Sequence, residues 1–527
     1  MATASSSKLA QVLIAGQWQS SAGSETFQAM NPATGQVLDE RFPVSSWEDC
    51  ERILDAAAEA AEQMCKLDPE RIAVFLEDYA DRIDANAQSL SEMAATETAL
   101  PFEPRLAKVE LPRTSGQLRQ AAAAARSGSW AMPTIDTKLN IRSCLEPLGP
   151  VCVFGPNNFP FAFNSISGGD FASAIAAGNP VIAKANTSHP ATTRLLGELA
   201  QAASEAAGLP RGAVQLIYRL SHEDGARLVS DPRIGATGYT GSRHAGLTLK
   251  QAADKAGKPI YLELSSVNPL VILPGALVER GSELVDEFAA SALMGAGQFC
   301  TNPGLVLMIA GEQTDRFIAG VTEKYRTAAA GTLLSTGVGR ALAKAVGTLV
   351  AAGATCEVGG KPIEGRCSVS NTVLTVPGQK FLGDPEVFQT EAFGNATLFV
   401  VASDVEELVK VIQSLEGNLT GCIYSSKNGS DEAAYTQIAP DLTRRVGRLL
   451  NDKMPTGVAV SSAMNHGGPY PATGHPGFTA VGIPASLLRF GKLTCYDNVR
   501  AERLPKLLQD AAPSPHTWRL IDGQWQK

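Results

Sequence analysis

The sequence lacks the features that would place it in a membrane or on a nucleic acid. Only 19% of its 527 residues are charged, and Asp plus Glu outnumber Lys plus Arg by 53 to 45, which gives a net charge of −8. No apolar run reaches the roughly 18 residues of a membrane span, and the N-terminal segment MATASSSKLAQVLIAG has no apolar core of signal-peptide length. We therefore predict a cytoplasmic protein that binds neither nucleic acid nor a membrane.

Paired cysteines and several common catalytic motifs are also absent. The nine cysteines are odd in number and never spaced as C-x-x-C, so the sequence predicts neither a disulfide framework nor a metal site. The patterns G-x-G-x-x-G, G-x-x-x-x-G-K-[ST], H-E-x-x-H and G-x-S-x-G do not occur. The sequence therefore lacks the motifs that usually indicate a nucleotide-binding loop, a metalloprotease or a serine hydrolase.

Apolar residues and glycine are abundant instead. Hydrophobic residues make up 44% of the chain, and 49 of its residues are glycine. At roughly 150 residues per domain, the length of the chain allows about three domains. The high content of apolar residues and glycine is typical of an oligomeric protein with large buried cores.

Hydrophobic periodicity divides the chain into three regions. Short strands and turns are expected over 11–40. Ser45 and Glu48 form an S-x-x-E capping box, which predicts that a helix begins at about residue 45. The chain is expected to be mostly helical from there to about residue 126. Beyond Pro150 the runs VCVF, PVIAK, AVQLIY and PIYLEL alternate with alanine-rich stretches, which is typical of βαβ units around a parallel sheet. A second alternation from Leu270 to about residue 450 predicts another α/β domain.

Two further segments stand out. The stretch NHGGPYPATGHPG at 465–477 is too rich in Gly and Pro for regular structure, and it is either a functional loop or a surface connection. The echo between IAGQWQ at 14–19 and IDGQWQ at 521–526 is too short for a repeat architecture and predicts a shared hairpin pattern.

Three segments carry side chains that can act together. Cys300 lies in the glycine-rich GAGQFCTNPG, although a lone cysteine beside Phe is more often inert core. Asn157 and Asn158 stand in FGPNNFP at the end of an apolar strand, where they are either oxyanion donors or plain turn residues. Glu263 lies inside the apolar YLEL, where a carboxylate must be paired, neutralised or used.

In order and spacing, the motifs NPATG, PLGPVCVFGPNNFP, GYTGS, LELSS, GQFC and EAFGN resemble those of the aldehyde dehydrogenase superfamily. The resemblance extends over roughly residues 12–500. It implies an α/β fold with a Rossmann-type cofactor domain, an α/β catalytic domain and a small β oligomerisation arm. The expected boundaries are 1–139 with 153–262 for the discontinuous cofactor domain, 263–470 for the catalytic domain, 140–152 with 488–505 for the arm, and 506–527 for a C-terminal tail.

The same resemblance implies the roles of three residues. Cys300 is expected to be the nucleophile that attacks the aldehyde carbon, and Asn158 the donor that stabilises the resulting oxyanion together with the Cys300 backbone N–H. Glu263 is expected to activate the water that hydrolyses the thioester. The arm implies a homodimer or a tetramer, because its strands pair across a two-fold axis.

NADP is the expected cofactor, with NAD used more weakly. Lys184 matches the lysine that reaches the adenosine ribose, and Thr187 stands where relatives that prefer NAD usually carry a Glu. Without that carboxylate a 2′-phosphate meets no repulsion, and Arg219 or His222 is a candidate third contact. The remaining expected cofactor contacts are Phe154, Pro156, Asn157, Gly241, Ser242, Gly246, Glu391 and Phe393.

The sequence also departs from the family pattern near the nicotinamide. The usual Glu-Leu-Gly-Gly is Glu263-Leu264-Ser265-Ser266 here, and the Pro that commonly follows the lysine is Ala185. The backbone approach to the nicotinamide is therefore expected to differ in detail.

The expected substrate is a semialdehyde. Three aromatic residues flank the catalytic positions and form either an apolar access tunnel or part of the core: Phe159, Phe163 and Phe299. Arg113 is either an anchor for a distal substrate carboxylate or an ordinary surface arginine. Within the superfamily the chain is most similar to bacterial 2,5-dioxopentanoate (α-ketoglutaric semialdehyde) dehydrogenases, which implies oxidation to 2-oxoglutarate.

Three alternatives remain open at this point. Bacterial NADP-linked fatty aldehyde dehydrogenases are also similar. A CoA-acylating relative is disfavoured by Glu263, because that chemistry needs no hydrolytic base. A catalytically silent structural or binding protein on the same scaffold is disfavoured by the complete set of Cys, Asn and Glu.

Overall fold

A computed structural model describes residues 9–527 and begins with two short hairpins. Their strands are β1 (Val12–Ile14), β2 (Gln17–Gln19), β3 (Thr26–Met30) and β4 (Val37–Pro43). β1 pairs with β2 and β3 with β4, both antiparallel. The predicted short strands over 11–40 are therefore confirmed.

A helical region follows, as predicted. Its helices are α1 (Trp47–Met64), α2 (Pro69–Ala85), α3 (Ala87–Thr98) and α4 (Leu111–Ser127), with an irregular helical segment Phe102–Glu110 before α4. The capping box was predicted one residue too early, because Ser46 and Asp49 form it. Ser45 instead accepts a hydrogen bond from the Tyr218 backbone N–H, which ties this turn to the neighbouring sheet.

Two strands, β5 (Thr134–Asp136) and β6 (Ile141–Pro147), lead into the first large sheet. Its parallel strands are β7 (Val151–Phe154), β8 (Val181–Lys184), β9 (Val214–Ile217), β10 (Ala236–Thr240) and β11 (Ile260–Glu263). The connecting helices are α5 (Gly169–Ala176), α6 (Pro190–Ala207), α7 (His222–Ser230) and α8 (Arg243–Lys255). The strand order is β11-β10-β7-β8-β9-β1-β2. This order reverses between β7 and β10, and doubly wound sheets bind ligands beyond the carboxyl ends of strands at such a point.

The second predicted α/β domain is also present, as another seven-stranded sheet in the order β14-β15-β16-β13-β12-β17-β18. Its strands are β12 (Pro269–Ile272), β13 (Leu305–Ile309), β14 (Thr355–Val358), β15 (Thr372–Pro377), β16 (Ala396–Ala402), β17 (Asn418–Tyr424) and β18 (Val446–Asn451). Its helices are α9 (Pro274–Ala292), α10 (Glu312–Thr327), α11 (Thr336–Ala351), α12 (Gly378–Gly383), α13 (Pro385–Phe388), α14 (Val405–Gln413) and α15 (Glu432–Arg445). β12, β13, β16 and β17 are almost wholly buried, so helices cover both faces of the sheet.

A small sheet completes the fold in the order β19-β6-β5-β20-β21. Its C-terminal strands are β19 (Gly491–Asp497), β20 (Arg519–Ile521) and β21 (Gln524–Gln526). The segment predicted as a tail thus adds a hairpin to the sheet that holds the predicted arm strands. The predicted similarity of the two GQWQ hairpins is confirmed, because both two-residue turns have positive φ angles, 51° and 72° at Ala15-Gly16 and 46° and 81° at Asp522-Gly523.

These sheets confirm the predicted α/β architecture with a Rossmann-like unit, a second α/β unit and a small β sheet. The domain boundaries stay a prediction, and Glu263, which they assign to the catalytic domain, ends β11 of the first sheet. In the described residues no helix is long and apolar enough to cross a membrane.

Candidate active site

Cys300 lies on a tightly held loop between α9 and β13. Gly295, Ala296 and Gly297 have φ angles of 56°, 56° and 68°, and a Cβ on Gly297 would overlap the Gly394 carbonyl oxygen. The Asn268 side chain donates to the Cys300 carbonyl oxygen at 2.8 Å and so fixes the loop from the opposite side. The thiol therefore has a defined position although it belongs to no helix or strand.

Glu263 and His466 meet beside this thiol. The His466 Nε2 atom lies 3.0 Å from Glu263 Oε1 and 3.4 Å from Cys300 Sγ. Glu263 forms a β-bridge with Thr473, so the loop 465–477 lies along the free edge of β11. The His466 backbone N–H donates to Thr479 Oγ1 at 2.9 Å. An imidazole held between a carboxylate and a thiol can move a proton between them.

The surroundings of Cys300 favour the neutral thiol in the resting protein. Burial raises the thiol pKa well above its ordinary value, and the nearby Glu263 carboxylate raises it further. The charge of Arg113 acts in the opposite direction. A partner that accepts the proton is therefore needed before the sulfur can act as a nucleophile near neutral pH.

Asn158 is buried on the turn that follows β7, where its amide faces the Cys300 loop. Its Nδ2 donates to the Gln298 carbonyl oxygen at 3.0 Å, which leaves one N–H of that amide for another acceptor. The Arg105 guanidinium donates to the backbone carbonyl oxygen of Asn158 at 3.0 Å and lies 4.4 Å from the centroid of the Phe159 ring. The backbone and the side-chain amide of Asn158 are thus each held by one hydrogen bond.

Arg113 projects from α4 toward the same region. Its guanidinium lies 5.1 Å from the Phe163 ring centroid, and its Nε donates to Gln117 at 3.4 Å. Its Nη2 is buried without a hydrogen-bond partner among the described residues. Burial lowers the Arg113 pKa, against the charges of Glu110 and Cys300, which raise it. A buried donor without a partner is what a substrate carboxylate would satisfy.

The three predicted aromatic residues do come together. The Phe159 ring lies 5.2 Å from Phe163 and 5.6 Å from Phe299, both edge to face. They form one apolar cluster with Phe478, Ala480 and Val481, and Phe163 also contacts the His466 ring. Beside Cys300 the aromatic residues thus form an apolar wall, against which the guanidinium groups of Arg105 and Arg113 lie.

Eight of the predicted cofactor residues gather at the carboxyl ends of the first sheet. Phe154 and Lys184 end β7 and β8, and the residues that follow these strands or lead into the first turn of α8 are Pro156, Asn157, Thr187, Gly241, Ser242 and Gly246. Phe154 and Pro156 are buried, whereas Thr187 and Ser242 are exposed. A Cβ on Gly246 would overlap Leu264 and Tyr239, so only glycine lets α8 pack this close to the sheet. The N-terminus of α8 is positioned to receive an anion.

Lys184 is the charged member of this set. Burial lowers its pKa to about 8, and the neighbouring charge of Arg219 lowers it further. Within residues 9–527 Lys184 forms no ion pair. Two neighbouring cations without an acidic partner suit the phosphates of a dinucleotide. His222 is exposed at the start of α7.

Glu391 and Phe393 line one cleft together with Ser266 and Phe299. Burial raises the Glu391 pKa to about 7, although hydrogen bonds from the Ser265 side chain and the Ser266 backbone lower it. The two serines that replace the family's glycines therefore both hold a neighbouring side chain by a hydrogen bond. Ser265 hydrogen-bonds to Glu391, and Ser266 donates to Asn268 at 2.8 Å.

Sequence analysis missed three residues of this site: His466, Arg105 and Asn268. His466 lies in the loop 465–477, for which function and surface connection were both left open, and its burial with Glu263 and Cys300 favours function. Arg105 and Asn268 had no local signal, because each acts on a residue brought close only by folding.

A doubly wound sheet that faces a half-buried thiol, a buried carboxylate and a buried amide is the arrangement of a thiol-dependent dehydrogenase. The model of the aldehyde dehydrogenase family matches residues 18–468, and the chain belongs to that family. It is therefore an aldehyde-oxidising enzyme of a family that uses NAD or NADP.

Two characterised relatives cover almost the whole chain. The alpha-ketoglutaric semialdehyde dehydrogenase 2 of Azospirillum brasilense is 39% identical over 512 residues, which are 95% of this chain and 96% of the relative. The alpha-ketoglutaric semialdehyde dehydrogenase of Acinetobacter baylyi is 34% identical over 516 residues, with the same coverage of 95% and 96%.

Solved structures agree on the fold. The gamma-glutamyl-gamma-aminobutyraldehyde dehydrogenase of Burkholderia cenocepacia superposes with a TM-score of 0.80 at 20% identity, over 93% of this chain and 97% of that one.

Proposed function

We propose that this protein oxidises α-ketoglutaric semialdehyde to 2-oxoglutarate with NADP as the preferred cofactor. The observation that supports this substrate is the buried Arg113 Nη2, which has no hydrogen-bond partner within residues 9–527 and lies in a region that also holds Cys300 and Phe163. A substrate with an aldehyde at one end and a carboxylate at the other can reach both the thiol and the guanidinium. The two relatives are named for oxidation of the same semialdehyde, which supports this substrate.

In the proposed mechanism the Cys300 sulfur bonds to the aldehyde carbon, and the carbonyl electron pair moves to the oxygen. The remaining amide N–H of Asn158 and the Cys300 backbone N–H stabilise this oxyanion. A nicotinamide held by the proposed cofactor residues would supply the acceptor for the hydride of this carbon, which leaves the acyl group on Cys300 as a thioester. Glu263 then removes a proton from water, which attacks the Cys300 thioester carbon and releases the carboxylate product and the thiol.

His466 supports the first step of this mechanism. Its Nε2 is 3.4 Å from the Cys300 sulfur, so it can accept the thiol proton that burial otherwise retains. We expect His466→Asn to lower kcat/KM by about 100-fold, the contribution of one positioned base. His475→Asn is the matched control, because His475 is exposed in the same loop. Steady-state rates that are equal for both variants would remove His466 from the mechanism.

The proposed preference for NADP rests on charge near the end of β8. Lys184 and Arg219 supply positive charge, and the exposed Thr187 offers a hydroxyl and no carboxylate. We expect Thr187→Glu to lower the ratio of kcat/KM for NADP to that for NAD by about 100-fold, because a carboxylate repels the 2′-phosphate. Thr187→Gln, similar in size but neutral, should change the ratio little. A ratio that is the same in both variants would contradict the charge argument.

The substrate itself is tested by comparing initial rates with three aldehydes. They are α-ketoglutaric semialdehyde, succinic semialdehyde and a medium-chain aliphatic aldehyde, each with NADP and with NAD at matched concentrations. The proposal expects the highest kcat/KM for α-ketoglutaric semialdehyde with NADP. A higher value for the aliphatic aldehyde would instead favour a fatty aldehyde dehydrogenase, for which the cluster of Phe159, Phe163 and Phe299 is equally suited.

We also propose a homodimer formed through the small sheet. β19 is an edge strand of that sheet, and Leu493 on it is 72% exposed. An open edge with an exposed apolar residue is typically covered by another chain. Light scattering of the purified protein gives its mass directly.

A further inference from the structure

The buried side chains of Glu263 and His466 meet at the half-buried thiol of Cys300. One ligand atom from each of Cys300, Glu263 and His466 lies within 4.8 Å of the other two. The Sγ–Nε2 distance is 3.4 Å and the Nε2–Oε1 distance is 3.0 Å. Around a tetrahedral Zn²⁺, with bonds of about 2.3 Å to sulfur and 2.0 Å to nitrogen or oxygen, such atoms lie about 3.3–3.6 Å apart. Both measured separations are within a few tenths of an ångström of that geometry.

The second oxygen of Glu263 gives independent support for a cation at this position. Glu263 is 1% exposed, and among residues 9–527 its Oε2 has no hydrogen-bond donor. A buried carboxylate oxygen without a donor costs free energy, which a bound cation would offset.

The three ligands are held in place by separate contacts. The backbone of Glu263 is bridged to Thr473, and Asn268 fixes the Cys300 carbonyl oxygen. The His466 backbone is anchored on Thr479. A metal can therefore bind without rearrangement of the fold, which lowers the cost of binding.

The charge of the ligand set also fits a divalent cation, because a thiolate and a carboxylate together carry two negative charges. Arg113 and Arg448 both interact with the charge of Cys300 and oppose a cation there. These guanidinium groups weaken binding, so we expect a site that exchanges its metal.

We propose that Cys300, Glu263 and His466 form a reversible inhibitory site for Zn²⁺, with the fourth coordination position open to water. On binding, the Cys300 S–H bond breaks, the proton passes to solvent and a Zn–S bond forms without any change of oxidation state. The sulfur electron pair that would attack an aldehyde is then bound to the metal. The inhibition rests on the proposed function of Cys300, whereas the binding does not.

Binding is tested by titrating the reductant-free protein with Co²⁺ as a spectroscopic stand-in for Zn²⁺. Tetrahedral Co²⁺ bound to a thiolate gives a charge-transfer band in the near ultraviolet and visible d–d bands. We expect both in the wild type and in Cys65→Ser, which removes an exposed thiol far from the site in sequence. Cys300→Ser should lose the charge-transfer band, and His466→Asn should weaken binding at least about 10-fold, whereas His475→Asn should not.

Activity separates this proposal from the proposed function. With micromolar Zn²⁺ we expect about a 10-fold loss of aldehyde oxidation, competitive with the aldehyde and reversed by EDTA. If the wild type oxidises the aldehyde but shows no cobalt charge-transfer band, the metal site is overturned and the proposed function stays intact. A charge-transfer band that is unchanged in Cys300→Ser has the same meaning. If Co²⁺ gives the charge-transfer band but the metal-free protein does not oxidise the aldehyde, the metal site is supported and the proposed function is contradicted.

Discussion

Replacing Cys300 by Ala is expected to lower kcat for aldehyde oxidation by about 10⁴-fold or more, the scale seen when a covalent nucleophile is removed. The reason is that no other sulfur takes part in the cluster of Cys300, Glu263 and His466 among the described residues. Initial rates of NADPH formation, followed at saturating aldehyde and cofactor, measure the effect.

The matched control is Cys367→Ala, which removes a partly buried thiol packed against the core of the second sheet. It should keep the wild-type rate. Binding of NADPH, measured by fluorescence, should be unchanged in Cys300→Ala, because Cys300 is not among the proposed cofactor residues, most of which come from the first sheet. Substantial turnover by Cys300→Ala with cofactor binding intact would exclude the covalent mechanism.

The second large effect is expected from Arg113. Arg113→Met should lower kcat/KM for α-ketoglutaric semialdehyde by about 100- to 1000-fold, because a substrate carboxylate would be buried without its charge partner. The rate with a medium-chain aliphatic aldehyde should stay the same or rise, because Met adds an apolar surface beside Phe163. The ratio of the two kcat/KM values is therefore the informative quantity.

Arg119→Met tests whether this change is specific. Arg119 lies on the same helix but is paired with Asp81 and Asp84 at the surface. Its replacement should leave the ratio unchanged, since exposed ion pairs contribute little. An equal loss for both aldehydes in Arg113→Met would show that Arg113 supports the structure of the site and does not bind the carboxylate.

The sequence predicted the architecture well because its signals are local. Apolar runs such as VCVF and PVIAK became β7 and β8, with α5 between them, as alternation of strands and helices requires. The start of α1 was displaced by one residue, because adjacent serines at 45 and 46 offer the same cap and only the contact of Ser45 with Tyr218 separates them. The hairpin at the end of the tail was predicted from its echo of residues 14–19, but its pairing with the small sheet was not.

The sequence by itself determined the family, the α/β fold and the segments that hold Cys300, Asn158 and Glu263, because each of these is written in contiguous motifs. Only the tertiary structure decided what stands beside the thiol. His466 is 166 residues from Cys300 and 203 from Glu263 along the chain, and it reaches both because the loop 465–477 follows the free edge of β11. Its chemistry depends on burial and distance, which the packing of the two sheets creates and no local pattern encodes.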